Sequence, residues 1–263
     1  MLGDIVEVKL TPEERLLFNK QLENLEGLAE QYVISRIDSY AQELRAGPTK
    51  DKSETKKTLE FLGLIARNFI ETGNLESKDS CYCGLALTAV PKDERAKLYD
   101  EHNLLKGAIS QAGLRIYDPY EAPFNPQDEL IGTDNDIYDI DSIMVFASQY
   151  FTFTHLSAST GGGIEQATAR DTSKMNLVFV KKGMDPKPSR MSTGMRRAIT
   201  VQYTDAKEQQ SEISDMIGMI QEYELGIGFC EGYGSTLIGF KGNNTVCLPH
   251  LVKTKFPQFT YKI

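Results

Sequence analysis

The chain has little from which to build a metal centre or a disulfide framework. It holds four cysteines and three histidines in 263 residues. Cys81 and Cys83 are one residue apart, too tight for the usual zinc knuckle, and no CxxC or His pair completes a ligand set. His102, His155 and His250 are scattered. We therefore expect four buried, reduced thiols, including Cys230 and Cys247, and no metal or other cofactor. Long apolar runs are also missing: none reaches the roughly 18 residues that a membrane span needs. The opening Met1-Leu2-Gly3-Asp4-Ile5 has neither the basic nor the apolar region of a signal peptide. The expectation is a cytoplasmic protein with no membrane partner. Positive charge is in deficit: 29 Lys plus Arg stand against 37 Asp plus Glu, a net of −8. Such a chain has no electrostatic reason to wrap a nucleic-acid duplex. It can still hold small anions through backbone N–H groups.

What is present is globular in kind. Apolar residues make up 40% and charged residues 25%, which excludes a disordered or collagen-like chain. The length allows one large domain or two small ones. The character changes near residue 78. Before it the pattern is helical: Thr11-Pro12-Glu13-Glu14 is a helix start, and Leu16, Leu17, Leu22, Leu25 and Leu28 follow at three-to-four spacing. Residues 1–78 are thus expected to be a helical accessory segment.

From Cys81 onward strand and helix alternate, so 79–263 is expected to be an α/β domain. Cys81–Leu87, Leu114–Tyr117, Ser142–Ala147 and Asn176–Val180 read as strands. Glu94–Ala112, a segment opening at Ile164, and Ser211–Tyr223 read as helices. That rhythm predicts an open parallel, flavodoxin- or Rossmann-like sheet flanked by helices. A Gly-rich turn region after Tyr223 and a last strand at Thr245–Pro249 complete the reading.

The informative stretch runs from Asp134 to Glu165. Ligands of open parallel sheets bind beyond the carboxyl ends of the strands. There the sequence places a loop of hydroxyls and glycines, Ser157, Ser159, Thr160, Gly161, Gly162 and Gly163. Glycines let the backbone approach a ligand closely, and a following helix start favours an anion. The loop is not a P-loop, because Gly-Lys-Ser/Thr is absent, and it lacks G-x-G-x-x-G spacing. Glu165 lies two residues past the glycines, in the first turn of the helix. Two readings fit it: a plain partner of the helix dipole, or a carboxylate facing what the loop holds. A carboxylate beside a sugar site can attack an anomeric carbon.

The order of these parts resembles the nucleoside 2-deoxyribosyltransferase superfamily, which includes deoxynucleotide N-glycosidases. The matching pieces are Tyr82-Cys83-Gly84, Ile116-Tyr117-Asp118-Pro119, Asp136-Ile137-Tyr138-Asp139-Ile140 with the run Ile143–Phe146, Gly161-Gly162-Gly163-Ile164-Glu165-Gln166-Ala167, and Lys174–Phe179. The resemblance covers about residues 80–183. The lysine-decarboxylase-like phosphoribohydrolases and the TIR-type NAD-cleaving domains are more distantly similar. The family's usual Asp before the third strand is Ser142 here, with Asp141 beside it as an alternative.

The resemblance implies cleavage or transfer of the N-glycosidic bond of a nucleoside or nucleoside 5′-monophosphate. Glu165 would be the nucleophile at C1′. Asp136, or Asp134 in an ungapped match, would orient the sugar or move a proton to the base. Tyr82 would hydrogen-bond Glu165, and Gly84 with the 157–163 loop would contact substrate. It also implies a homo-oligomer, because such proteins often complete their sites from a neighbouring subunit. A different class stays open beside this one: a non-catalytic nucleotide sensor of the same architecture, in which Glu165 binds a ribose hydroxyl.

Overall fold

The computed structural model describes residues 77–87, 90–120, 141–142, 144–157, 159–172, 174–184 and 195–259. The expected helical segment 1–78 therefore lies almost wholly outside the described residues.

The core is a five-stranded, all-parallel sheet in the order β2-β1-β3-β4-β5. Its strands are β1 (Ser77–Leu85), β2 (Arg115–Tyr117), β3 (Ser148–His155), β4 (Met175–Lys181) and β5 (Ala198–Tyr203). Helices α1 (Lys92–Gln111) and α2 (Thr160–Asp171) follow β1 and β3. The predicted α/β class and parallel sheet are what the structure shows. The order reverses direction between β1 and β3, which opens a crevice at their carboxyl ends.

Alternation along β3 sets the two layers. Thr152 and Thr154 turn to one face, where Thr154 Oγ1 meets His102 Nδ1 of α1 at 2.8 Å. Phe151, Phe153 and His155 turn to the other, where the Phe153 ring lies against Gly162 of α2. Helix α1 opens with Asp93 and Glu94 in its first turn and buries Leu105, Ala108 and Ile109. Gly113, at φ 87°, ends it: Leu114 N donates to Ile109 O at 3.3 Å, a Schellman-type closure that needs a left-handed residue.

The sequence reading misplaced the third strand. Ser142–Ala147 is not a strand: 141–142 and 144–147 are helical, and β3 begins at Ser148. The apolar run misled because a buried helix and a buried strand share that signature. The polar residues of β3 resembled a loop, but the sheet satisfies them: Thr152 Oγ1 donates to Cys83 Sγ at 3.2 Å. All four cysteines are free and buried.

After β5 and α3 (Gln210–Gln221) comes a feature absent from the sequence reading. The Gly-rich region is a second, antiparallel sheet in the order β6-β7-β8, formed by β6 (Glu224–Cys230), β7 (Gly234–Lys241) and β8 (Asn244–Cys247). Pro249 belongs to α4 (Leu248–Lys255) and not to a strand. Gly242, at φ 60°, opens the two-residue turn between β7 and β8, as a type II′ hairpin requires. Leu237, Leu248, Val252 and Phe259 join Ile199, Val201, Ile213 and Ile217 in one buried cluster, so the second sheet shares the core of the first. Among the described residues no helix is long and apolar enough to cross a membrane.

Candidate active site

Tyr82 and Gly84 are the last two positions of β1 on the sheet face that carries Phe151 and Phe153. The Tyr82 ring is fully buried, stacked on Phe151 at 5.5 Å and tilted against Tyr117 at 5.5 Å. Gly84 leaves the space above β1 empty, and the Glu165 carboxyl fills it. A Cβ on Gly84 would stand 3.0 Å from Glu165 Oε2 and 2.9 Å from Phe153 Cδ2. The glycine is needed here because the carboxylate sits directly over the backbone.

Helix α2 brings Glu165 to that point. It starts at Thr160, four residues earlier than the sequence suggested, so Thr160, Gly161, Gly162 and Gly163 form its first turn and not a free loop. Ser159 is the N-cap: its Oγ accepts from Gly162 N at 3.0 Å. Ser157 Oγ donates to Ala86 O at 2.5 Å, tying the end of β3 to the exit of β1. The two serines expected to bind substrate therefore have structural partners. Gly162 is buried, and a Cβ there would come within 2.2 Å of Phe153 Cζ and 2.4 Å of Cε2. We expect Gly162→Ala to destabilise the protein by about 1–3 kcal/mol, because the enclosed Phe153 ring has nowhere to go. Gly163→Ala, with nothing within 4 Å of its Cβ, should be near neutral. Urea unfolding of the two variants checks this. Equal midpoints would contradict the packing argument.

The second acid is Asp141, which the sequence offered only as an alternative. Asp134 and Asp136 lie outside the described residues. Asp141 is half-buried and sits near Glu165 and Tyr82. Burial pushes its pKa up to about 7, against a smaller lowering by the Tyr82 hydroxyl. Burial, and then the charge of Asp141, push Glu165 up to about 8, again opposed by Tyr82. The Tyr82 hydroxyl is held well above its ordinary value by burial, then by the charges of Glu165 and Asp141. Its Oη has no partner at full hydrogen-bond geometry, yet it lies near enough to both carboxyls to lower their pKa values. The predicted Tyr82–Glu165 hydrogen bond is thus not formed at full geometry, although the two groups influence each other's titration.

Two partly buried acids that share one tyrosine titrate as a unit, with a proton retained near neutral pH. That combination can present a carboxylate and an undissociated acid to one ligand. Among the described residues no group of three or more His, Cys, Asp or Glu side chains could hold a metal ion.

Behind the site, Asp118 forms a buried polar cluster that sequence reasoning missed. Its Oδ2 accepts from Lys106 Nζ at 2.6 Å and Tyr99 Oη at 3.0 Å, and His102 Nε2 stands 3.6 Å away. Burial raises its pKa, but His102 and Lys106 outweigh that and hold it at about 2. The only sequence signal was the Asp-Pro end of β2, which reads as an ordinary turn.

No family model and no curated protein matches this chain. Among solved structures, the Clostridium botulinum CMP N-glycosidase BcmB is similar over 51% of this chain and 96% of its own length, at 13% identity and a TM-score of 0.34. A likeness of that strength carries no weight for the chemistry.

Proposed function

We propose that the protein cleaves or transfers the N-glycosidic bond of a nucleoside or nucleoside 5′-monophosphate. The observation that supports this most is the Asp141–Glu165 pair, two acids of raised pKa around the Tyr82 hydroxyl at the carboxyl end of β1. Glu165, ionised, attacks C1′. The C1′–N bond breaks, and its electron pair leaves with the base. Asp141 gives its proton to that base, which is a poor leaving group as an anion; such acid catalysis is typically worth about 10²–10⁴-fold. Water, or a second base, then attacks C1′ of the glycosyl-enzyme. Asp141, now a carboxylate, takes the attacking group's proton, and Glu165 is released. Tyr82 holds the Glu165 rotamer, and Asp136, or Asp134, orients the sugar.

The pair sets the pH dependence. The productive form carries one proton, on Asp141; it is the minor of the two singly protonated forms, because Asp141 has the lower pKa of the pair. The rate should rise as the pair loses its first proton near pH 7 and fall as it loses the second near pH 8. This predicts a narrow bell in kcat/KM. Asp141→Asn should lower the rate on ordinary nucleosides by about 10²–10⁴-fold. It should leave a profile that only rises, with its limb below pH 8, because the Asp141 charge no longer raises Glu165. A substrate whose base departs without protonation should lose much less.

The test is base release, followed by chromatography, from a panel of ribo- and deoxyribonucleosides, their 5′-monophosphates and NAD. Release from at least one substrate, with the bell-shaped profile, supports the proposal. Saturable binding with no release from any of them overturns it in favour of a sensor.

A further inference from the structure

Besides Ser157 at Ala86 O, one further side chain among the described residues holds the chain leaving β1. Tyr120 Oη donates to Leu85 O at 2.9 Å and accepts from Leu87 N at 3.3 Å. Leu85 is the residue after Gly84, over which Glu165 sits. Tyr120 is in turn fixed by Asp118, whose Oδ1 accepts from Tyr120 N at 2.9 Å. Asp118 is anchored to α1 through Lys106 and Tyr99. The rings of Tyr99 and Tyr120 pack edge-on at 6.2 Å, over the small cluster Leu85, Leu87 and Val90. None of these groups has a part in the chemistry proposed above.

We propose that Tyr120 is a positioning residue, a strap hung from Asp118 that holds the β1 exit so that Tyr82 and Gly84 stay beneath Glu165. The reason is geometric. A strand end at a ligand crevice has no further ladder to hold it, because pairing with β3 stops at Leu85. Leu85 O and Leu87 N therefore need partners from elsewhere, and a single hydroxyl supplies both. Asp118 acts through Tyr120: it fixes the ring's backbone and does not reach β1 itself. A site whose groups must be held to within about half an ångström depends on such support. The kinetic part rests on the reading of the site as an N-glycosidase; the structural part does not.

The test compares wild type, Tyr120→Phe and Asp118→Asn in amide hydrogen exchange and in base-release kinetics. Tyr120→Phe keeps the ring and its packing, so it should fold even if Asp118→Asn is impaired. Expected for Tyr120→Phe is exchange at the Leu87 amide about tenfold faster, confined to 85–90. In the same variant kcat should fall by about 10- to 100-fold, with KM within about threefold. Asp118→Asn should reproduce both changes. Val252→Ala, in the core far from the crevice, serves as a control that lowers stability without touching the strap. Unchanged exchange at Leu87 in Tyr120→Phe overturns the proposal whatever the wild type does. So does faster exchange with kcat retained, or a kcat loss that Val252→Ala matches. A wild type that releases no base overturns the N-glycosidase reading instead, and the exchange result alone then decides the strap.

Discussion

Glu165→Gln is expected to lower base release by about 10⁴-fold or more while nucleotide binding survives. Removing a covalent nucleophile generally leaves only the acceleration that binding and positioning supply. Gln keeps the size of the side chain above Gly84 and does not disturb the Ser159 cap. The variant should still fold, and should be more stable than wild type above neutrality. The sign follows from linkage. Glu165 is raised from an ordinary 4.5 to about 8, so between those values the folded state binds more protons than the unfolded one. The contribution of Glu165 is fully present below about pH 4.5 and is lost as pH rises through 8. Gln has no proton to lose, so its stability profile should be flatter over that range. Release assays and urea unfolding at pH 6 and pH 8.5 check both halves. Retained release would remove the nucleophile from the mechanism. Unchanged pH dependence of stability would mean that the Glu165 carboxyl is not enclosed.

Asp118→Ala should be the most destabilising single change of those considered. It leaves Lys106, 8% exposed, and His102, 1% exposed, without their shared acceptor. Breaking a buried pair by removing one partner typically costs about 3–5 kcal/mol, since the remaining charge is buried and uncompensated. At this size that is a fall in Tm of about 6–20 °C. The pH signature separates this from a plain cavity. Asp118 is lowered from 3.8 to about 2, so its stabilisation is complete above about pH 4 and is lost as pH falls towards 2. Asp118→Ala should abolish that acid limb. Replacing both partners, Asp118→Leu with Lys106→Met, should recover a large part of the loss, because no charge is then stranded. Calorimetry on the three proteins decides the matter; a double variant no more stable than the single would rule out a stranded charge as the cause.

Much of the sheet was legible because βαβ units write themselves in alternating composition. β1, β2 and β4 were found within a few residues of their bounds, and α1 and α3 likewise. The failures have specific causes. β5, Ala198–Tyr203, is only six residues long and follows the basic pair Arg196-Arg197, and its strict alternation of half-buried and buried positions was overlooked. β6, β7 and their turns carry six glycines between 226 and 242, which read as loop when a strand's pairing partner is not known; only β8 was anticipated, as the expected strand at Thr245–Pro249. β3 was hidden by its own hydroxyls, which only the neighbouring Cys83 and His102 explain.

The candidate site divides in the same way. The sequence by itself made Glu165 a candidate, because a carboxylate just after a glycine run at a helix start is a local pattern; in the structure the glycines take the first turn and Glu165 falls in the second. It also offered Tyr82 and Gly84 as candidates, and both sit near the end of a strand that the composition makes plain. Local order is enough for such features, since the residues that make them are neighbours in the chain. Only the tertiary structure decided that Asp141 is the acid beside Glu165. It alone showed that Ser157 and Ser159 are engaged by Ala86 O and Gly162 N. The Asp118 cluster and the Tyr120 strap also emerged only there. Their contacts to α1 and β1 join residues between 12 and 35 positions apart. Their chemistry depends on burial and proximity, and neither exists until the sheet has brought the strand ends together.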